Sequence, residues 1–261
     1  MKIALVQTSP QFGEKEKNLR GALGQMSSSA VDFYVLPELF ATGYNFSTGD
    51  EVASLAEPFS SGETTQAMRA FCAQHGCAVV YGFAEEHQGK YYNSAAYIGP
   101  DMNDQLYRKV HLYDREKLFF APGDLGFHAF NTPWGRVGIM ICFDWFFPES
   151  ARTLTLKGAQ LIAHPSNLVL PHCPDSMSVR CRENRIFAAT ANRVGIENRG
   201  GIPLSFIGRS QMTAPTGEIM HRASPDQAEI WCGEITLSQS DDKQLNSKNH
   251  LLNDRRPEFY R

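Results

Sequence analysis

The sequence predicts an α/β fold, specifically a four-layer αββα sandwich with two mixed β-sheets. Three observations predict it. Apolar runs of β-type composition alternate with helical patterns almost to the end of the chain, the same order of elements occurs twice, and no Gly/Ser-rich or Pro-rich linker separates the two halves. Each half contains strand, helix, strand, helix, strand and then a hairpin. An internal pseudo-two-fold repeat of this kind places two sheets face to face, with helices outside both.

The first half shows its elements in clear order. Leu19, Leu23 and Met26 recur at helical spacing, and Gly76 ends the second helix. The predicted strands cover residues 2–8, 32–36 and 77–84, the helices cover 14–28 and 64–75, and the hairpin pairs 91–98 with 105–109.

The second half repeats this order, and Pro148 stands in the first turn of its first helix. One strand end also corresponds between the halves, since Leu36-Pro37-Glu38 matches His164-Pro165-Ser166. The predicted strands cover 136–142, 159–163 and 188–194, the helices cover 148–157 and 176–187, and the late hairpin pairs 205–214 with 218–221.

The 261 residues fit one large domain or two small ones, and the lack of a linker favours a single domain over residues 1–239. Residues 240–261 form a polar tail. A free tail would seldom keep the aromatic side chains of Phe259 and Tyr260, so we expect this tail to pack at an interface.

Composition excludes several classes of partner. The net charge is −3 and the Lys and Arg residues are scattered, so neither a nucleic acid nor an anionic membrane surface is expected to bind. No stretch approaches the length of a membrane span. The first apolar run is too short for a signal peptide, and six cysteines are few for a disulfide scaffold. We therefore expect a cytoplasmic protein with free thiols.

Cys142 ends an apolar run and precedes a helix that begins at Pro148. A turn between a strand and a helix presents a nucleophile well, because oriented backbone N–H groups are available there. A thiol nucleophile also needs a base and a group that stabilises the oxyanion. His111 and His164 are the nearest histidine candidates, but His164 at a strand end is more typical of a buried structural histidine.

Two other strand ends offer better partners. Glu38 follows an apolar strand in Leu36-Pro37-Glu38, where burial would raise the pKa of its carboxyl group toward that of a general base. Lys109 ends the strand before Val110, and an ammonium group there would stabilise an oxyanion and lower the pKa of the thiol. Taken singly, either side chain could equally lie at the surface.

Together these motifs resemble the nitrilase superfamily of carbon–nitrogen hydrolases. The resemblance rests on Leu36-Pro37-Glu38, on Tyr107 to Leu112 and on Ile141 to Asp144, and it extends over nearly the whole chain. Supporting phrases are Gly123-Asp124, 182–185 with 191–195, and the late hairpin. The pattern is most similar to microbial aliphatic nitrilases and amidases.

The resemblance implies a Glu–Lys–Cys triad of Glu38, Lys109 and Cys142. It further implies that Glu116 orients Lys109 or contacts substrate, and that the backbone N–H of Phe143 assists Lys109 at the oxyanion. No cofactor is implied, and the Cys and His spacings are poor for a zinc site. A homodimer or higher homo-oligomer is expected, with the helix 176–187 and the tail at its interface.

The sequence leaves several related substrates open. The expected reaction converts a small aliphatic amide or nitrile to a carboxylic acid and ammonia, in a pocket that includes Tyr44, Phe119, Trp145 and Asn167. The alternatives are an N-carbamoyl amino acid amidohydrolase and an acyltransferase that passes the same thioester to an amine. A non-catalytic binding scaffold is a further class, which the three filled triad positions disfavour.

Overall fold

Both predicted sheets are present in the computed structural model, which describes residues 1–100 and 102–260. The first sheet contains β1 (Lys2–Gln7), β2 (Phe33–Val35), β3 (Ala78–His87), β4 (Lys90–Ile98), β5 (Gln105–Arg108) and β14 (Glu229–Glu234). The second contains β6 (Ala129–Thr132), β7 (Gly135–Ile139), β8 (Leu161–Pro165), β9 (Phe187–Ala191), β12 (Gln211–Thr213) and β13 (Ile219–Arg222). A separate ribbon pairs β10 (Val194–Arg199) with β11 (Ile202–Ile207).

The helices lie outside the sheets. They are α1 (Lys15–Ser27), α2 (Gly49–Leu55), α3 (Glu63–His75), α4 (Glu116–Phe119), α5 (Pro148–Leu156) and α6 (Cys173–Asn184). Short 3₁₀ helices cover Cys142–Phe146, Leu237–Ser240 and Pro257–Phe259. No helix within residues 1–100 and 102–260 is long and apolar enough to cross a membrane.

The strand orders confirm the internal repeat. The first sheet has the order β14-β1-β2-β3-β4-β5 and the second β13-β12-β9-β8-β7-β6. In each sheet three central strands are parallel, and antiparallel strands flank them on both sides. The parallel strands are apolar on both faces because both faces are covered.

Side-chain alternation along β1 shows how the layers pack. Ile3 and Leu5 join a buried cluster that also contains Ile139 and Ala163 of the second sheet, so the two sheets meet face to face. Ala4 and Val6 point the other way and pack with side chains of α1 and α3. The αββα order of layers follows directly.

Several element boundaries differ from the predictions. The predicted strand over 205–214 is two strands, β11 and β12, because Gly208 and Arg209 adopt left-handed backbone with φ of 59° and 57°. The predicted strand over 136–142 ends at Ile139, and the predicted helix over 176–187 is α6, three residues earlier at each end. The turn predicted around residues 99–103 includes Asp101, which lies outside the described residues.

The sequence analysis missed five elements: β6, β10, β14, α2 and α4. Two of these, β6 and β14, occupy equivalent positions beside the first parallel strand of each sheet. The partners β14 and β1 lie more than 200 residues apart in the chain, so local periodicity could not connect them.

Candidate active site

Three predicted site residues follow the carboxyl ends of strands. Glu38 comes after β2, Lys109 directly after β5, and Cys142 after β7. The ammonium nitrogen of Lys109 lies 2.7 Å from Oε1 of Glu38 and 2.7 Å from Oε1 of Glu116. Lys109 and Glu38 are fully buried and Glu116 nearly so, so the three charges compensate one another away from water.

Glu38 is held from several sides. The Nδ2 of Asn93 donates to Glu38 Oε1 at 2.6 Å, and the Nδ2 of Asn167 donates to the Glu38 carbonyl at 2.8 Å. Gly82 in β3 lies so close that a Cβ there would stand 2.5 Å from the Glu38 Cα, which explains why this position has no side chain. The second carboxylate oxygen, Oε2, is buried and accepts no hydrogen bond from the described residues.

Glu116 connects Lys109 to the pocket wall. Its Oε1 also accepts from the Tyr44 hydroxyl at 2.6 Å, and its Oε2 accepts from the Tyr113 N–H at 3.3 Å. The Glu116 carboxylate is therefore held by hydrogen bonds from Lys109, Tyr44 and the backbone of Tyr113.

Cys142 occupies a strained turn, with a left-handed φ of 38° at the start of the 3₁₀ helix Cys142–Phe146. In the first turn of such a helix the N–H groups of Cys142 and Phe143 have no partner within the helix. The Nε2 of His164 donates to the Cys142 carbonyl at 2.9 Å, and this hydrogen bond helps to hold the turn.

Asp144 ties the lysine segment to the cysteine turn. Its Oδ2 accepts from the Ile141 N–H at 2.9 Å and from the Tyr107 hydroxyl at 2.7 Å. Its Oδ1 accepts from the His111 N–H at 3.1 Å, and the ring Nδ1 of His111 lies 2.8 Å away. Tyr107 and His111 lie two residues before and after Lys109, and Ile141 precedes Cys142, so this one buried carboxylate joins the two segments that carry Lys109 and Cys142.

Burial and neighbouring charges together set the protonation equilibria of the cluster. Burial raises the pKa of Glu38 to about 7, as the sequence analysis expected, with the charge of Lys109 acting in the opposite direction. The pKa of Lys109 is raised because the attraction of Glu116, Glu38 and Cys142 outweighs the desolvation that lowers it. At neutral pH Lys109 is therefore a permanent cation.

The thiol corrects one expectation. Lys109 lowers the pKa of Cys142, as predicted, but desolvation and the charge of Glu38 outweigh it and raise that pKa well above its usual value. A raised pKa favours the neutral thiol over the thiolate. Desolvation lowers the pKa of buried His164 to about 4, and the His111 ring stacks on the Phe147 ring with their centroids 3.8 Å apart.

The expected pocket residues divide between two adjoining cavities. Trp145 and Asn167 line a small cleft of about 20 Å³ beside Cys142, together with Leu168, Val169 and Leu170. Tyr44 and Phe119 line a small cavity of about 30 Å³ next to Glu116. Tyr113 lines both cavities.

Sequence reasoning missed Asn93, Tyr113 and Asp144. Asn93 lies inside a strand, where no turn or motif boundary distinguishes it. Tyr113 and Asp144 lie next to or within the motifs that carry the family resemblance. Asp144 could have been found, because a carboxylate two residues after Cys142 in an apolar segment is unusual. Arg180 donates to the carbonyl of Trp145 at 3.2 Å and pairs with Glu183.

No group of three or more His, Cys, Asp or Glu side chains in the described ranges is arranged to hold a metal ion.

The carbon-nitrogen hydrolase family model matches residues 2–243 of the chain. A nitrilase of Pyrococcus abyssi is 46% identical over 100% of this chain and 99% of its own length. An (R)-stereoselective amidase of a Pseudomonas species is 36% identical over 87% of this chain and 82% of its own. The crystal structure of a carbon-nitrogen hydrolase from Helicobacter pylori G27 matches with a TM-score of 0.88 and 25% identity, over 100% of this chain and 97% of that one.

Proposed function

Because the chain belongs to the carbon–nitrogen hydrolase family, we propose that it hydrolyses small aliphatic amides or nitriles through a covalent intermediate on Cys142. The observation that carries the proposal is the buried contact of Lys109 with Glu38 and Glu116 at 2.7 Å each, in a cluster whose charges all act on Cys142. Acyl transfer through a cysteine needs a base, a fixed cation and a thiol, and this buried site contains all three groups.

For an amide, Glu38 takes the thiol proton as Sγ of Cys142 forms a bond to the carbonyl carbon. Lys109 and the N–H of Phe143 stabilise the resulting oxyanion. Glu38 then gives its proton to the nitrogen, the C–N bond breaks, and ammonia leaves a thioester on Cys142. Water attacks the thioester while Glu38 accepts one of its protons; the C–S bond breaks, the acid is released, and that proton returns to the thiolate.

For a nitrile, the same attack produces a thioimidate. Addition of water and departure of ammonia convert it into the thioester, which is then hydrolysed in the same way. A Glu38 pKa of about 7 suits both directions of proton transfer near neutral pH. The cleft beside Cys142 is mostly apolar and small, which favours a short aliphatic acyl group.

A substrate panel tests the proposal. Butyramide, butyronitrile and an N-carbamoyl amino acid are each incubated with the enzyme, and ammonia and acid are measured separately. Release of both products from butyramide or butyronitrile supports the proposal. Turnover of the carbamoyl compound alone contradicts it in favour of a carbamoyl amidohydrolase. An acyltransferase would form a hydroxamate when hydroxylamine is added and would release no acid when hydroxylamine is left out. That result contradicts the proposal.

We further propose a homo-oligomer, at least a dimer, whose interface is built on α6 and the tail 240–261, of which Arg261 lies outside the described residues. Val179 of α6 is 52% exposed, and Phe259 and Tyr260 of the tail are 67% and 59% exposed, so apolar side chains stand uncovered on both segments. Light scattering that returns the mass of at least two chains for the parent and of one for Val179→Asp supports the oligomer. A monomeric parent contradicts it.

The proposed location is the cytoplasm. All six cysteines are free, including the exposed Cys232, which suits a reducing compartment.

A further inference from the structure

The two oxygens of Glu38 have different surroundings. Oε1 accepts from the Lys109 ammonium at 2.7 Å and from Asn93 Nδ2 at 2.6 Å, whereas Oε2 accepts no hydrogen bond from the described residues although it is buried. Hydrogen bonds to an ionised oxygen reduce its basicity. Oε2 is thus the more basic oxygen and is free to exchange a proton.

Asn93 joins the base and the lysine through two separate contacts. Its side chain holds Glu38 Oε1, and its backbone carbonyl accepts from the Lys109 N–H at 2.9 Å. Asn93 lies on β4, which pairs with β5, and Lys109 directly follows β5. One residue therefore fixes the position of both charged partners.

The orientation of the Asn93 amide has a clear physical reason. The side chain is 1% exposed, and its Oδ1 accepts no hydrogen bond from the described residues. A buried amide with an unpaired oxygen costs stability, and an apolar residue would avoid that cost. The amide keeps this orientation because a flip would place its oxygen against Glu38 Oε1, which would then have Lys109 alone as donor.

We infer that Asn93 is a positioning residue that holds Oε1 of Glu38 and leaves Oε2 as the oxygen that exchanges protons with Cys142. This inference rests on the proposed function, in which Glu38 is the base. The charged and titratable groups that face Glu38 are Lys109, Glu116, Cys142 and Tyr44. Asn93 is an uncharged donor beside these groups, and its hydrogen bond lowers the pKa of Glu38, so its removal raises that pKa further.

Alkylation of Cys142 by iodoacetamide, followed by peptide mass spectrometry from pH 5 to 9, tests the inference without any assumption about substrate. Asn93→Leu is compared with the parent and with Ser94→Ala. Ser94 is the next residue on β4, is equally buried, and donates to Glu85 at 2.6 Å on the other face of the sheet. Asn93→Ser replaces the leucine variant if that variant does not fold.

The midpoint of the acid limb should rise by about one pH unit in Asn93→Leu and stay unchanged in Ser94→Ala. An acid limb that stays in place in the Asn93 variant, or a parent that has none, overturns the inference. Failure of the proposed function looks different, because butyramide and butyronitrile would then remain intact while the alkylation profiles still separated the variants.

Discussion

The ammonium nitrogen of Lys109 lies 2.7 Å from Oε1 of Glu38, and both side chains are fully buried. A pair of opposite charges in such a site is costly to desolvate and costly to break. Each partner here also contacts a second group, Glu116 for Lys109 and Asn93 for Glu38. The surrounding fold thus holds a proton acceptor beside a permanent cation, and the predictions below follow from that arrangement.

Activity should fall on the acid side of about pH 7. Burial raises the pKa of Glu38 to about 7, and only its carboxylate form can take the thiol proton. Below that pH the carboxyl group is protonated, so kcat/KM drops about tenfold per pH unit. On the basic side no loss from Lys109 is expected up to pH 10, because its pKa is raised. A profile of kcat/KM from pH 5 to 10 is the measurement, and an acid limb centred near pH 4.5 would contradict the assignment of Glu38.

Lys109→Met should destabilise the protein by about 3–5 kcal/mol at pH 8, since it leaves Glu38 and Glu116 buried without a cation. Burial raises the pKa of Glu38, and without the cation that lowers it this pKa would rise further in the folded state. The native state would bind more protons than the unfolded state, so the loss should shrink as the pH falls. Urea denaturation of the variant and the parent at pH 8 and pH 5.5 measures it. A loss of equal size at both pH values would show that the charges are not its cause.

Asp144→Asn should lower kcat about 100-fold with little change in KM. The carboxylate accepts hydrogen bonds from Ile141, Tyr107 and His111. In asparagine an NH₂ group replaces one of the two oxygens, and this group cannot accept the hydrogen bonds that the oxygen accepted. The turn at Cys142 then shifts relative to Lys109. Tyr107→Phe removes one of these bonds and serves as the milder comparison, with an expected loss of about 1 kcal/mol in the free energy of unfolding. Equal kcat values in Asp144→Asn and the parent would refute the positioning role.

Gly82→Ala should inactivate the enzyme, because the added Cβ would stand 2.5 Å from the Cα of Glu38. The backbone of Glu38 must move, and the base moves with it. Gly24→Ala is the matched control: it lies in α1 with open space around it, and alanine there should stabilise the helix by about 0.5–1 kcal/mol. Turnover and thermal unfolding of the two variants are compared, and an active Gly82→Ala enzyme would show that the close approach is unimportant.

Sequence alone predicted the layers and the three central groups because both depend on local signals. Alternation along β1 and the helical spacing of Leu19, Leu23 and Met26 show which faces are buried. Glu38, Lys109 and Cys142 stand where apolar strands end, so each interrupts a pattern. The family resemblance added that these three interruptions meet.

What the sequence could not predict depends on distant contacts. Asn93 looks like any polar residue in a strand, and only the sheet register places it against Glu38 and Lys109. The direction of the Cys142 pKa shift could not be predicted either. Burial, Glu38 and Glu116 raise this pKa and Lys109 lowers it, and only the coordinates show which effect is larger. Edge strands such as β14 pair with partners remote in the chain and carry no local sign of them.

The central claim is that Cys142 carries the acyl group of the substrate. Intact-protein mass spectrometry after an acid quench of the enzyme with butyramide tests it most directly. The parent should gain the mass of a butyryl group less one hydrogen, mapped to the Cys142 peptide, and Cys142→Ala should gain nothing and release no ammonia. Ammonia release by Cys142→Ala at the parental rate would contradict the claim.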